Sequence, residues 1–146
     1  MGAVANLLFA ISCRSFQNTK DHTTIRKLKY DHIQEAISLS PRLWLAHYCL
    51  GDWYEGSQKW LDAKAEFERA VKLQPDAAAA HYHLGAVLDI LHNKDLALKQ
   101  FELAVKFSRH DDSDEIYRES KRKVEYFKEI RDAAKGKLPP TPQRSY

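Results

Sequence analysis

Seven histidines and two cysteines carry the most obvious chemistry in this chain. His81 and His83 flank Tyr82, His92 follows, and Cys49 stands apart. Such side chains hold zinc, or build a nucleophile with its base, when their spacing brings them together. The spacing here does not. Helix positions two apart point to different faces, so His81 and His83 do not share an ion. His81 also repeats the position of His47 in an earlier stretch, which marks it as a packing residue. Cys49 has no histidine in register, so it does not read as a catalytic thiol. There is no glycine-rich phosphate loop, no G-x-S-x-G and no H-E-x-x-H. The expectation is a chain that is not an enzyme, with no metal and no cofactor.

Two further patterns invite a binding role. The run Lys121, Arg122, Lys123 is basic, but Glu119, Glu125 and Glu129 interrupt it, as on a solvated helix face. A net charge of +3 is also well short of a nucleic-acid binder's field. Pro139, Pro142 and Arg144 fit the P-x-x-P-x-R pattern of SH3 ligands, in a tail that reads as a plain extended end.

These side chains must be positioned by helices. The chain has 146 residues, 44% of them hydrophobic and 29% charged, with only five glycines and five prolines. That is enough for one domain with a core needing no metal or disulfide staple. Scarce turn formers among many Ala, Leu, Lys and Glu favour long helices over short strands. Two distant cysteines make no disulfide framework and suit a reducing, cytoplasmic setting. The apolar run Ala3–Ser12 is about half the length of a bilayer span, so no membrane span is expected. Arg14 and Lys20 follow it before any acid, which leaves organelle targeting open.

The strongest signal is a repeat. "AHYCLGDW" at Ala46–Trp53 returns as "AHYHLGAV" at Ala80–Val87, a shift of 34 positions. In the same register Leu50 matches Leu84, Gly51 matches Gly85, Ala63 matches Ala97, Phe67 matches Phe101 and Ala70 matches Ala104. A fixed period of this length marks stacked units. Within a unit the apolar spacing is helical twice over. Leu50, Gly51 and Tyr54 share one face, and Ala63, Phe67, Ala70 and Val71 share another. "EGSQK" and "LHNKD" separate the two helices, with Gly56 and Ser57 supplying turn chemistry and Asn93 a cap. The two glycines and the alanines let paired helices approach closely, Phe67 and Phe101 fill the space between pairs, and Pro41 and Pro75 end the second helices.

This order of residues resembles the tetratricopeptide repeat family. Leu50, Gly51, Tyr54, Ala63, Phe67, Ala70 and Pro75 fall on its pattern in one unit, and Leu84, Gly85, Ala97, Phe101 and Ala104 in the next. His47 replaces the usual tryptophan, Leu88 a tyrosine and Arg109 a proline. The implied fold is all-α, a short α-solenoid of helix-turn-helix repeats with a C-terminal capping helix. The chain then divides into an irregular or degraded segment over 1–22, the second half of a first repeat over 23–41, full units over 44–77 and 78–111, the cap over 112–136, and a Pro-rich tail over 137–146. For the cap, Asp112 or Ser113 is the expected N-cap, with an apolar stripe of Ile116, Ser120, Val124, Phe127, Ile130 or Arg131, and Ala134.

The resemblance also implies a concave groove lined by Leu45, Tyr48, Asp52, Glu55, Ala79, Tyr82, Ala86 and Asp89, an aromatic and acidic strip. It implies a protein partner with a basic or aromatic and apolar segment. The family's chaperone-binding members clamp carboxylates with lysine and asparagine, where this chain has Tyr48, Asp52, Tyr82 and Ala86. A small adaptor or scaffold is the leading expectation. The alternatives are a structural subunit of a larger multiprotein complex and a targeting fragment of a larger enzyme.

Overall fold

The computed structural model describes residues 2–5, 8, 22–109 and 114–136. The Pro-rich tail, Asp112 and Ser113 lie outside the described residues. Among the described residues six helices carry the architecture: α1 His22–Leu39, α2 Trp44–Glu55, α3 Trp60–Leu73, α4 Ala78–Ile90, α5 Lys94–Phe107 and α6 Glu115–Ala134. No strand occurs among the described residues.

Each pair forms for local reasons and is then locked by packing. α3 and α5 carry an acid in the first turn, Asp62 or Asp95, and a base in the last, Lys72 or Lys106, matching the helix dipole. Phe67, Ala63 and Ala70 on α3, and Phe101, Ala97 and Ala104 on α5, are fully buried. Burying each phenyl ring contributes about 1.5–3 kcal/mol. The ring reaches its partner helix because glycine faces it. A Cβ on Gly51 would lie 2.7 Å from Phe67 Cδ1 and Cε1, and one on Gly85 would lie 3.0 Å from Phe101 Cδ1 and Cε1. Leu50 and Leu84 are buried beside them, and Tyr54 packs half-buried against the same core.

The main core joins Phe67, Leu84, Val87, Leu88, Phe101 and Phe127, so it ties α3, α4, α5 and α6 together. A second cluster of Ile33, Ala36, Ala46, Cys49 and Leu50 fastens α1 to α2, and Ala3 of the helical stretch 3–5 packs against it. α1 runs one turn further toward the N-terminus than its equivalents α3 and α5 would in the same register. Trp53 of α2 pins the N-terminal half of α1: its indole N–H donates to the Arg26 carbonyl at 3.1 Å and its ring lies 4.7 Å from Tyr30.

Histidine joins one unit to the next. His47 Nε2 lies 2.9 Å from the Pro41 carbonyl and Nδ1 2.8 Å from Glu66 Oε2. His81 repeats this with the Pro75 carbonyl at 2.8 Å and Gln100 Oε1 at 2.7 Å. Each ring therefore links the loop before its own helix to the helix after it. Both histidines are buried, and their polar atoms need these partners.

Four local expectations are corrected. The turns do not rest on Gly56, which is right-handed with φ −63°. Their left-handed residues are Gln58 at φ 57° and His92 at φ 61°, one period apart. Asn93 makes no side-chain cap and instead donates from Nδ2 to the Leu91 carbonyl at 3.2 Å. The N-cap of α6 is Asp114, whose carboxylate accepts from the backbone N–H of Ile116 at 3.0 Å and of Tyr117 at 3.4 Å. That choice follows from helix length: α6 starts at Glu115, so only Asp114 sits one residue before its first turn. Among the described residues the packed stripe of α6 also stops at Phe127, with Ile130 and Ala134 exposed.

Candidate functional site

The first helix of each unit lies on the inner side of the stack. α2 touches α4, and α4 touches α6, whereas the second helices pack mainly on the first ones. Elements that touch every other neighbour sit inside a curved array, so α2, α4 and α6 share its inner face.

The eight positions expected to line a groove are all half-buried on α2 and α4. Leu45 packs against the second cluster and Ala86 against the main core. Ala79 stands at the start of α4. Tyr48 is central: its ring lies 5.8 Å from Phe67, 6.2 Å from Trp44 and 5.5 Å from His83. Tyr82 lies 5.8 Å from Phe101 and 5.4 Å from His83. The result is an aromatic floor in which both tyrosines are braced by the core behind them. Burial first, then the carboxylates of Glu119, Glu55 and Glu115, pushes the Tyr82 phenol above its ordinary value, so it stays a neutral donor.

The acids of the strip are engaged within the chain. Asp52 Oδ2 accepts from Lys29 Nζ of α1 at 3.2 Å. Glu55 Oε2 meets His83 Nδ1 of α4 at 2.8 Å. Asp89 Oδ2 lies 3.6 Å from Lys123 Nζ of α6. These contacts run helix to helix along the inner face from α1 to α6. Sequence reasoning placed the acids but missed their cations. Lys29 and Lys123 belong to helices outside the two full units, and their contacts with Asp52 and Asp89 span 23 and 34 positions. His83 stood one position from Tyr82, but its contact with Glu55 spans 28 positions and has no local signature.

No group of three or more metal-ligating side chains occurs among the described residues. Cys49 is buried, and burial above all raises its thiol to about 11, with Lys29 opposing and Asp52 adding to the rise. It stays a protonated core side chain near neutrality. No helix among the described residues is long and apolar enough to cross a membrane.

Antiparallel helix pairs stacked at a fixed period define the class, a helical-repeat solenoid. Residues 44–77 match the tetratricopeptide repeat. No curated protein matches the sequence. Among solved structures, the TPR2B domain of yeast Sti1 in its pHsp70 complex superimposes with a TM-score of 0.71 at 12% identity, over 88% of this chain and 97% of that one. The Sgt2 TPR domain from Aspergillus fumigatus gives 0.66 at 19% identity, over 93% and 88%. The first TPR of Spaghetti (RPAP3), bound to the HSP90 peptide SRMEEVD, gives 0.64 at 15% identity, over 84% and 93%. Residues 44–77 therefore carry a tetratricopeptide-repeat match, and the fold of the chain is the all-α repeat solenoid of these structures.

Proposed function

We propose that this chain is a non-catalytic interaction module, an adaptor that holds a partner's peptide or helix against its inner face. The observation that carries it is the aromatic floor of Tyr48, His83 and Tyr82, half-buried yet open on the face shared by α2, α4 and α6. Tyrosine offers large contact area with a hydrogen-bonding tip at low entropic cost. Two similar structures, of Sti1 and Spaghetti, contain a bound chaperone peptide or partner, which supports the reading at the level of the fold. Tyr48, Asp52, Tyr82 and Ala86 stand where an acidic-tail clamp would use lysine and asparagine, which speaks against an acidic chaperone tail as the partner. A partner segment with basic or with aromatic and apolar residues remains.

The second reading is a subunit held in a larger assembly by its outer face. Leu28 of α1, Leu61 of α3 and Leu96 of α5 are 40%, 72% and 51% exposed on the outer helices. Leu28 and Leu96 occupy the same position of the repeat, two periods apart. Tagged full-length protein, isolated from its native cells, separates the two. Partners lost on Tyr82→Ala with Ala86→Arg identify the groove. Partners lost only on Leu61→Ser with Leu96→Ser identify the outer face and refute the groove as the binding surface.

A further inference from the structure

We infer that the groove selects an uncharged apolar and aromatic segment, because the chain has already satisfied the groove's own carboxylates. The inference rests on the groove reading and decides between the two partner classes it allows. Asp52, Asp89 and Glu119 each face a cation of this chain: Lys29 at 3.2 Å, Lys123 at 3.6 Å and Arg122 at 3.0 Å. Glu55 meets the imidazole of His83 at 2.8 Å. A partner lysine brought to Asp52 approaches Lys29 at nearly the same distance, and the two Coulomb terms nearly cancel. An incoming glutamate meets the same cancellation in reverse. Beside Asp52 and Asp89 neither sign of partner charge gains, and both lose hydration on entering.

The pairs also do something a solvated strip would not. Lys29 with Asp52 joins α1 to α2, Glu55 with His83 joins α2 to α4, and Asp89 with Lys123 joins α4 to α6. Their side chains are 20–39% exposed, so they lie along the groove rather than out in solvent. Between them the surface left for contact is Leu45, Tyr48, Ala79, Tyr82 and Ala86, apolar or aromatic throughout. Burying leucine or phenylalanine against that surface is favourable without any charge on the partner.

The test pans a phage-displayed library of random dodecapeptides against the full-length chain, beside Ala86→Arg and beside Lys29→Gln with Lys123→Gln. Thermal melting checks that each variant is folded. The expected wild-type pool is rich in Leu, Phe, Trp and Met with mean net charge near zero. Its best clone should change affinity less than about twofold between low and high salt, and Ala86→Arg should weaken it about tenfold or more. The double glutamine variant, with Asp52 and Asp89 unpaired, should select peptides carrying Lys or Arg. A wild-type pool that is already strongly basic or acidic, yet lost in Ala86→Arg, overturns the charge inference and leaves the groove standing. A double glutamine pool identical to the wild-type pool also overturns it. A pool unaffected by Ala86→Arg, or no enrichment at all, overturns the groove reading itself.

Discussion

Gly51→Ala is the sharpest probe of how the units are held together. In an exposed helix this change stabilises by about 1 kcal/mol, because alanine restricts the unfolded chain and glycine does not. Here the added methyl would sit 2.7 Å from two carbons of the Phe67 ring and 3.0 Å from a third. Ordinary contact is about 3.5–4 Å, so something must move by the better part of an ångström. Phe67 is fully buried between α2, α3 and α4, and its ring touches Tyr48 and His83, so it has no empty space to turn into. Overpacking of this kind costs about 1–3 kcal/mol. The net expectation is destabilisation by about 1 kcal/mol, read by urea melts followed at the helical circular-dichroism band. Gly85→Ala meets Phe101 at 3.0 Å, a milder contact, so its two effects should roughly cancel. In a Phe67→Leu background the ring edge is gone, and Gly51→Ala should turn neutral or stabilising, a coupling of about 1–2 kcal/mol. A Gly51→Ala protein that melts later than wild type, with no coupling to Phe67, would refute the close-approach argument.

Three other expectations follow from particular residues. Gln58→Gly and His92→Gly should each stabilise by about 0.5–1 kcal/mol in the same melts, since both positions hold positive φ of 57° and 61°. Ser120 is fully buried with an unpartnered hydroxyl, so Ser120→Ala should raise stability by about 1 kcal/mol, and a drop would show a hidden partner. In a Cys13→Ser background, Cys49 should resist iodoacetamide at pH 8 until urea unfolds the chain, because burial holds its thiol up at about 11. The sign for stability follows: above the unfolded value of 9.0 the unfolded thiol ionises first, so stability falls as pH climbs toward 11.

By itself the sequence determined the repeat and its fold. Side chains one period apart, from Leu50 and Leu84 to Phe67 and Phe101, must meet the same surroundings, and helical spacing says which of them share a face. Stacked units of one period have few ways to bury those faces, so the all-α solenoid was legible without coordinates. Local backbone detail was less so. Any non-proline residue can enter the left-handed turn when tertiary packing holds the flanking helices, and that is why Gln58 and His92 occupy it and Gly56 does not. The electrostatic state of the inner face was decided only by the tertiary structure. Asp52, Glu55 and Asp89 read as open acids along the chain, and their partners Lys29, His83 and Lys123 come from other helices, 23, 28 and 34 positions away. A side chain's charge is written in its own residue, but whether that charge is available to a partner depends on what folding places within 4 Å of it.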